Sequence, residues 1–210
     1  MLDLSKDMTH ADAINHLRAT FPLHLTHDVE PSAPFGALRS IFAGIDYVAA
    51  LYSGWKGGWI VKSANTIGFL KTFFPVATGV DAYSQFADHI YDMFRNGSVH
   101  LYLPKNLQNQ NPICSTPFLT WCVVTGEHRT GMSEFRGLNF IATHLMPVPI
   151  EDTTVLPLSP HALLEDLLKT CDLFAKHLED EQEKDEHPLL DRLRQTADGI
   201  TRPAGTGLVW

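Results

Sequence analysis

Long apolar runs are missing from this chain, and no stretch approaches the roughly 18 consecutive apolar residues that a membrane span requires. Its first residues, Met1-Leu2-Asp3-Leu4-Ser5-Lys6-Asp7, lack the basic and apolar regions of a signal peptide. A cytoplasmic protein with no membrane partner is expected. Cysteine is scarce: Cys114, Cys122 and Cys171 are an odd number without metal-type pair spacing, which suits a reducing compartment and no structural disulfides. Positive charge is also in deficit. Sixteen Lys and Arg against 24 Asp and Glu leave a formal net charge of −8, which excludes a broad basic face that coats nucleic acid but not a small basic pocket. Ten of the acidic residues fall between Glu165 and Asp191, where a solvated helix face is the plain reading.

Several chemical signatures are absent as well. There is no G-x-S-x-G elbow, no H-E-x-x-H helix, no Walker lysine pattern and no G-x-G-x-x-G turn, and nothing marks a cysteine as activated. Eleven histidines raise the question of a metal, chiefly at His24 and His27 or beside Asp88 and His89. They form no zinc quartet, and Cys114 with Cys122 has the wrong spacing for a zinc knuckle, so neither metal nor cofactor is expected.

What is present fits a single folded domain over residues 1–210, with 44% hydrophobic and 19% charged residues. A short helix is expected from Thr9, its N-cap, to about Thr20, with Phe21-Pro22 as its stop and a loop through Pro31 and Pro34. Leu38, Ile41, Phe42, Ile45, Val48, Ala49 and Tyr52 recur at helical spacing up to Gly54. Trp55 and Trp59, on the Gly-rich loop that follows, read as anchors into the core. Further helices are expected from about Ser63 to Phe74, from near Asp81 into Arg95 along the stripe Tyr83, Phe86, Ala87, Ile90, Tyr91 and Phe94, and from Ser159 to about Glu183. A last short one fits Pro188 to Thr196, with a flexible tail over about 198–210. Between the helices, Phe118 to Thr125 and Phe135 to Leu145 are rich in β-branched and aromatic residues around the turn-prone Gly126 to Ser133, which predicts an inserted β-hairpin within about 116–146.

The sharpest chemical signal is Arg95-Asn96-Gly97-Ser98-Val99-His100-Leu101-Tyr102, at the end of one amphipathic helix. In an unbroken helix Arg95 and His100 lie about 140° apart, so Gly97 is expected to end or loosen the helix and let both turn toward one cleft. A permanent guanidinium beside an imidazole suits a phosphodiester. Arg holds the non-bridging oxygens while His exchanges a proton near neutral pH, and RNA supplies its own nucleophile in the 2′-hydroxyl.

The pattern R-N-x-x-x-H-x-Y resembles the R-x4-6-H motif of the HEPN superfamily, in the R-x4-H-x-Y form of its toxins. The resemblance implies a mainly α fold, a HEPN-like helical bundle with an inserted β-hairpin, built on the helices at 35–53, 81–96 and 159–183. It implies a homodimer with both motifs lining one cleft, and metal-independent endoribonuclease activity of toxin–antitoxin or defence type. Arg95 is then the phosphate ligand, His100 the base or acid and Asn96 a supporting residue. Tyr102 matches the tyrosine that partner nucleotidyltransferases modify in some toxins, which brings in an antitoxin partner. For Asp46 the functional expectation is a partner to Arg95 or His100; the plainer one is a polar-face residue or a local pair with Arg39. The alternative for the whole chain is a non-catalytic helical binding or scaffold protein in which Arg95 and His100 hold the fold together or contact a ligand.

Overall fold

The computed structural model describes residues 5–30, 32–56, 63–96, 107–108, 116, 118–126 and 128–201, and it is mainly helical with a small sheet. Helix α1 (His10–Asn15) starts where expected, on a reciprocal cap. The Thr9 hydroxyl accepts from the Asp12 amide at 3.2 Å, and the Asp12 carboxylate accepts from the Thr9 amide at 2.8 Å.

Phe21-Pro22 does not stop this helix. A π turn over His16–Thr20 leads straight into α2 (Phe21–Val29), which also replaces the loop expected before Pro31. Proline lacks an N–H, and at the first turn of the segment that follows the π turn it has no α-helical bond to break.

Helix α3 (Pro34–Ser53) opens on Pro34 and closes at Gly54, whose φ of 67° supplies the left-handed cap. Its buried stripe, Leu38, Ile41, Phe42, Ile45, Val48 and Ala49, is the centre of the core. Each large residue there contributes about 1.5–3 kcal/mol by leaving water.

Helix α4 (Ser63–Thr78) runs through Pro75 instead of ending before it. The proline leaves the Lys71 carbonyl without its usual donor, and the Ser84 hydroxyl donates to that carbonyl at 3.2 Å. Ser84 lies on α5 (Ala82–Ile90), which continues as a second π turn, Tyr91–Asn96. Helix α6 (Pro160–Glu183) begins on the Ser159 cap. Its Glu181 carboxylate accepts from the Leu189 amide at 2.7 Å and so caps α7 (Pro188–Thr201). The expected short helix at 188–196 is thus longer and takes in 198–201, the start of the tail expected over about 198–210, and the rest of that tail lies outside the described residues.

The β layer departs from the expected pairing. Strands β1 (Leu107–Gln108), β2 (Phe118–Val123), β5 (Val148–Ile150) and β6 (Thr153–Leu158) form one sheet in the order β1-β2-β6-β5. In it β2 pairs in parallel with β6, Phe118 opposite Thr153, and not with the segment from Phe135. The antiparallel pair is β3 (Thr130–Phe135) with β4 (Leu138–Thr143), joined by Arg136-Gly137. Both linking residues have positive φ, 50° and 80°, the backbone of a two-residue primed turn. The segment Gly126 to Ser133, expected as the turn, instead runs into β3 from Thr130, and Gly131 lies inside that strand. A Cβ there would collide with the Thr125 carbonyl oxygen, so the glycine serves a close approach of two backbones.

Strand β6 is buried along its whole length, and Leu119, Leu156 and Leu158 join the helical core. The sheet and the helices therefore share one hydrophobic interior. Among the described residues no helix is long and apolar enough to cross a membrane.

Candidate functional site

The second π turn decides where the motif begins. Its i→i+5 bonding re-aims the end of α5, and such turns recur at functional sites. Phe94 goes inward, stacked near Phe42 with ring centroids 6.2 Å apart, while Arg95 reaches across to the middle of α3. There its Nε donates to Asp46 Oδ2 at 2.8 Å. The other oxygen, Oδ1, accepts from the buried Thr66 hydroxyl of α4 at 2.7 Å.

Three helices thus fix one guanidinium. Its face lies 5.4 Å from the centroid of the Tyr91 ring, and its Nη1 points to Asn96 Oδ1 at 3.4 Å. The Asn96 amide donates in turn to Asp92 at 3.1 Å, one helical turn back. Burial raises the Tyr91 phenol above its ordinary value, with Arg95 opposing and Asp46 adding to the effect.

The ion pair is mostly buried without being sealed, since the Arg95 and Asp46 side chains keep 19% and 16% of their exposure. Of the expected site residues, Arg95, Asn96 and Asp46 are brought together, and Asp46 pairs with Arg95 through space. His100 and Tyr102 lie outside the described residues, as does Gly97. The Nε bond orients the guanidinium fork and leaves Nη2 with no acceptor among the described residues, which is a fixed donor edge for an anion.

A second polar cluster was not anticipated. Asp166 of α6, fully buried, accepts from the Tyr83 hydroxyl at 2.7 Å and is paired with the Arg129 guanidinium. His144, just past β4, lies 3.0 Å from the Tyr83 oxygen through Nε2 and accepts the Ser159 amide at Nδ1, also at 3.0 Å. Because a backbone N–H occupies Nδ1, the ring proton sits on Nε2 and points to Tyr83. Burial, then the nearby Arg129 charge, pushes the His144 imidazole down to about 3. Burial, reinforced by Asp166, pushes the Tyr83 phenol well up. Tyr83, His144 and Asp166 show no side chain to solvent, while the Arg129 side chain keeps 31% of its exposure. A legible signal existed: Asp166 falls inside the apolar stripe Leu163, Leu167, Cys171 and Phe174.

A third pair sits on the residue beside Asp46. The Tyr47 hydroxyl meets His16 Nε2 at 2.8 Å on the first π turn, and burial, helped by His24, brings His16 down to about 4. Both π turns therefore pack on the middle of α3. An open groove of about 660 Å³ runs between β2 and the β3–β4 hairpin, lined by Phe35, Trp121, Phe135, Glu134, Arg136 and Asn139. Among the described residues no three His, Cys, Asp or Glu side chains are grouped to hold a metal ion. Comparison with family models, with curated proteins and with solved structures finds no match to this chain.

Proposed function

We propose that this chain is a metal-independent endoribonuclease of the HEPN kind, with Arg95 as the ligand of the scissile phosphate and His100 as the proton-transfer residue. The observation that carries this reading is the orientation of Arg95. Asp46, steadied by Thr66, takes the Nε proton and leaves the Nη2 edge for non-bridging oxygens. In the reaction the RNA 2′-oxygen bonds to phosphorus and the P–O5′ bond breaks. His100 takes the 2′-hydroxyl proton, and the leaving 5′-oxygen receives one. A positioned general base contributes about 10²–10⁴-fold, and a guanidinium on the developing phosphorane adds a comparable factor. Asn96 supports Arg95 from the side. The same reading carries a homodimer that joins two such edges in one cleft, and an antitoxin partner acting on Tyr102.

The test is cleavage of a mixed RNA pool in the presence of EDTA by the wild-type protein and by His100→Ala and Arg95→Ala proteins of verified fold. Cleavage by the wild type alone is expected. Activity that survives both substitutions removes the proposal.

One observation favours a second reading, a non-catalytic binding or scaffold protein. Asp46 neutralises Arg95 within the fold, as a purely structural ion pair would. Under that reading no RNA is cut, and Arg95→Ala lowers stability alone.

A further inference from the structure

The β3–β4 hairpin is thinly attached to the rest of the molecule. Its cross-strand pair Met132 and Ile141 faces solvent, as does Leu138, and within it Ala142 is the apolar side chain that is fully buried. Polar bonds anchor it on two sides: toward β2 the Thr125 amide and hydroxyl donate to the Met132 carbonyl and the Ser133 hydroxyl donates to the Val123 carbonyl at 2.9 Å, while toward the helices the bonds converge on Ser159 and Asp166. The Ser159 hydroxyl donates to the His128 carbonyl at 3.1 Å, while its oxygen accepts the Ala162 amide as the cap of α6. Its amide donates to His144 Nδ1, and Arg129 closes on Asp166 beside Tyr83. His144 and Arg129 flank the hairpin at its two ends, and the His144 amide donates to the Arg129 carbonyl at 2.7 Å.

This arrangement tolerates one protonation state of His144. Nδ1 must keep its lone pair, because a second ring proton would point N–H at the Ser159 N–H in a site without water access. The groups that face the ring are Tyr83 of α5, Asp166 of α6, Ser159 at the start of α6 and Arg129 before β3. Arg129 adds a positive charge to oppose a second one. Asp166 offers little rescue, since its oxygens already receive Tyr83 and Arg129 and its nearer oxygen is 3.8 Å from Nε2.

His16 differs. It meets a hydroxyl, which accepts as readily as it donates, so a protonated His16 keeps its bond to Tyr47.

We infer that His144 is an acid-labile latch: protonation of its ring releases the β3–β4 hairpin from the helices as a local opening, before the helical core unfolds. The opening frees Ser159, Arg129 and the wall of the groove that Glu134 and Phe135 line. The expected link is one proton per opening. Below the ordinary imidazole value of about 6.5, the opening constant rises about tenfold per pH unit.

The experiment is residue-resolved amide hydrogen exchange on the full chain between pH 6.5 and 4.5, with intrinsic rates corrected for pH. Hairpin amides at Thr130–Phe135 and Leu138–Thr143 should lose protection about tenfold per pH unit, and stay less protected than α3 amides at every pH. His144→Gln, which keeps a donor to Tyr83 and does not titrate, should flatten that slope. Hairpin protection that is flat in pH, that always equals that of α3, or that keeps its slope in His144→Gln overturns the latch. Imidazole ¹⁵N shifts of the wild type give an independent reading. The expected state of folded His144 is neutral with its proton on Nε2, and a proton on Nδ1 in the folded protein at pH 4.5 also overturns it.

Discussion

Two arginine–aspartate pairs in this molecule use the same chemistry for different ends. Arg129–Asp166 lies in a cluster whose carboxylate is fully buried and takes both the Tyr83 hydroxyl and the Arg129 guanidinium, although the Arg129 side chain keeps 31% of its exposure. Arg95–Asp46 sits at a π-helical end, 16–19% exposed, with a guanidinium edge that meets no acceptor among the described residues. Residue type does not separate them, and neither does the exposure of the arginine; the burial of the carboxylate does. A carboxylate sealed from water depends on its partners more than one that still meets solvent.

The largest expected effect removes the buried carboxylate. Asp166→Ala leaves Arg129 without its carboxylate and strips the acceptor from Tyr83, so urea unfolding should show a loss of about 3–5 kcal/mol. A loss under about 1 kcal/mol would mean that water reaches this cluster, and the contrast with Arg95–Asp46 would collapse.

Acid tests the same contrast without mutation. His16 and His144 are held below the ordinary imidazole value, to about 4 and about 3, mainly by burial. The unfolded chain binds their protons near pH 6.5 and the folded chain does not. Their contribution is therefore complete above about 6.5 and lost as pH falls toward those lower values, on the order of 1.4 kcal/mol per pH unit for each ring. Denaturant midpoints measured from pH 7 to 4.5 should fall steeply. A flat profile would show that neither ring is buried in its neutral form.

The Arg95–Asp46 pair sharpens the comparison at a smaller magnitude. Asp46→Asn keeps the volume and the Thr66 contact but removes the charge that orients Arg95, and should cost about 1–2 kcal/mol. In an Asp46/Arg95 double-mutant cycle read by urea unfolding, the coupling should be smaller than in the Asp166/Arg129 cycle. If RNA cleavage is found, Asp46→Asn should also reduce it while the fold persists. Equal couplings in the two cycles would place Arg95 among the structural pairs.

These contrasts also explain what could be read from the sequence. The helices at α3, α5 and α6 were legible because their apolar stripes, Gly54 and the Ser159-Pro160 start act locally. The pairing of Asp46 with Arg95 was one of the readings open in the sequence, the plainer being a polar-face residue or a local pair with Arg39, and the outcome depends on how the turn after α5 crosses α3. The strand pairing was not legible. Strand β6 carries Pro157 and alternates poorly, and the partner of β2 is separated from it by the whole hairpin. Gly131 mimics a turn signal for a reason that exists only in three dimensions. The Tyr83–His144–Asp166 cluster gathers residues 61 and 83 positions apart, and no local pattern encodes that meeting.

Pro75 offers the smallest and most local test of how a long-range partner overrides a sequence signal. A proline in a helix interior removes one donor, and by local rules α4 ends before it. It continues because Ser84, from the next helix, donates to the Lys71 carbonyl, and Thr78 donates to the Phe74 carbonyl at 2.6 Å before the Gly79 end. Ser84→Ala deletes the first of these donors and little else, because the hydroxyl lies at the surface, where water partly replaces it. The expected cost is about 0.5–1 kcal/mol, read as a lower urea midpoint with an unchanged slope. If Ser84 alone carries the helix through Pro75, amide protection over Thr72–Phe74 should fall in the variant more than over the first turns of α4. Equal protection throughout would show that the packing of Phe69, Phe73 and Phe74 holds α4 straight without the hydroxyl.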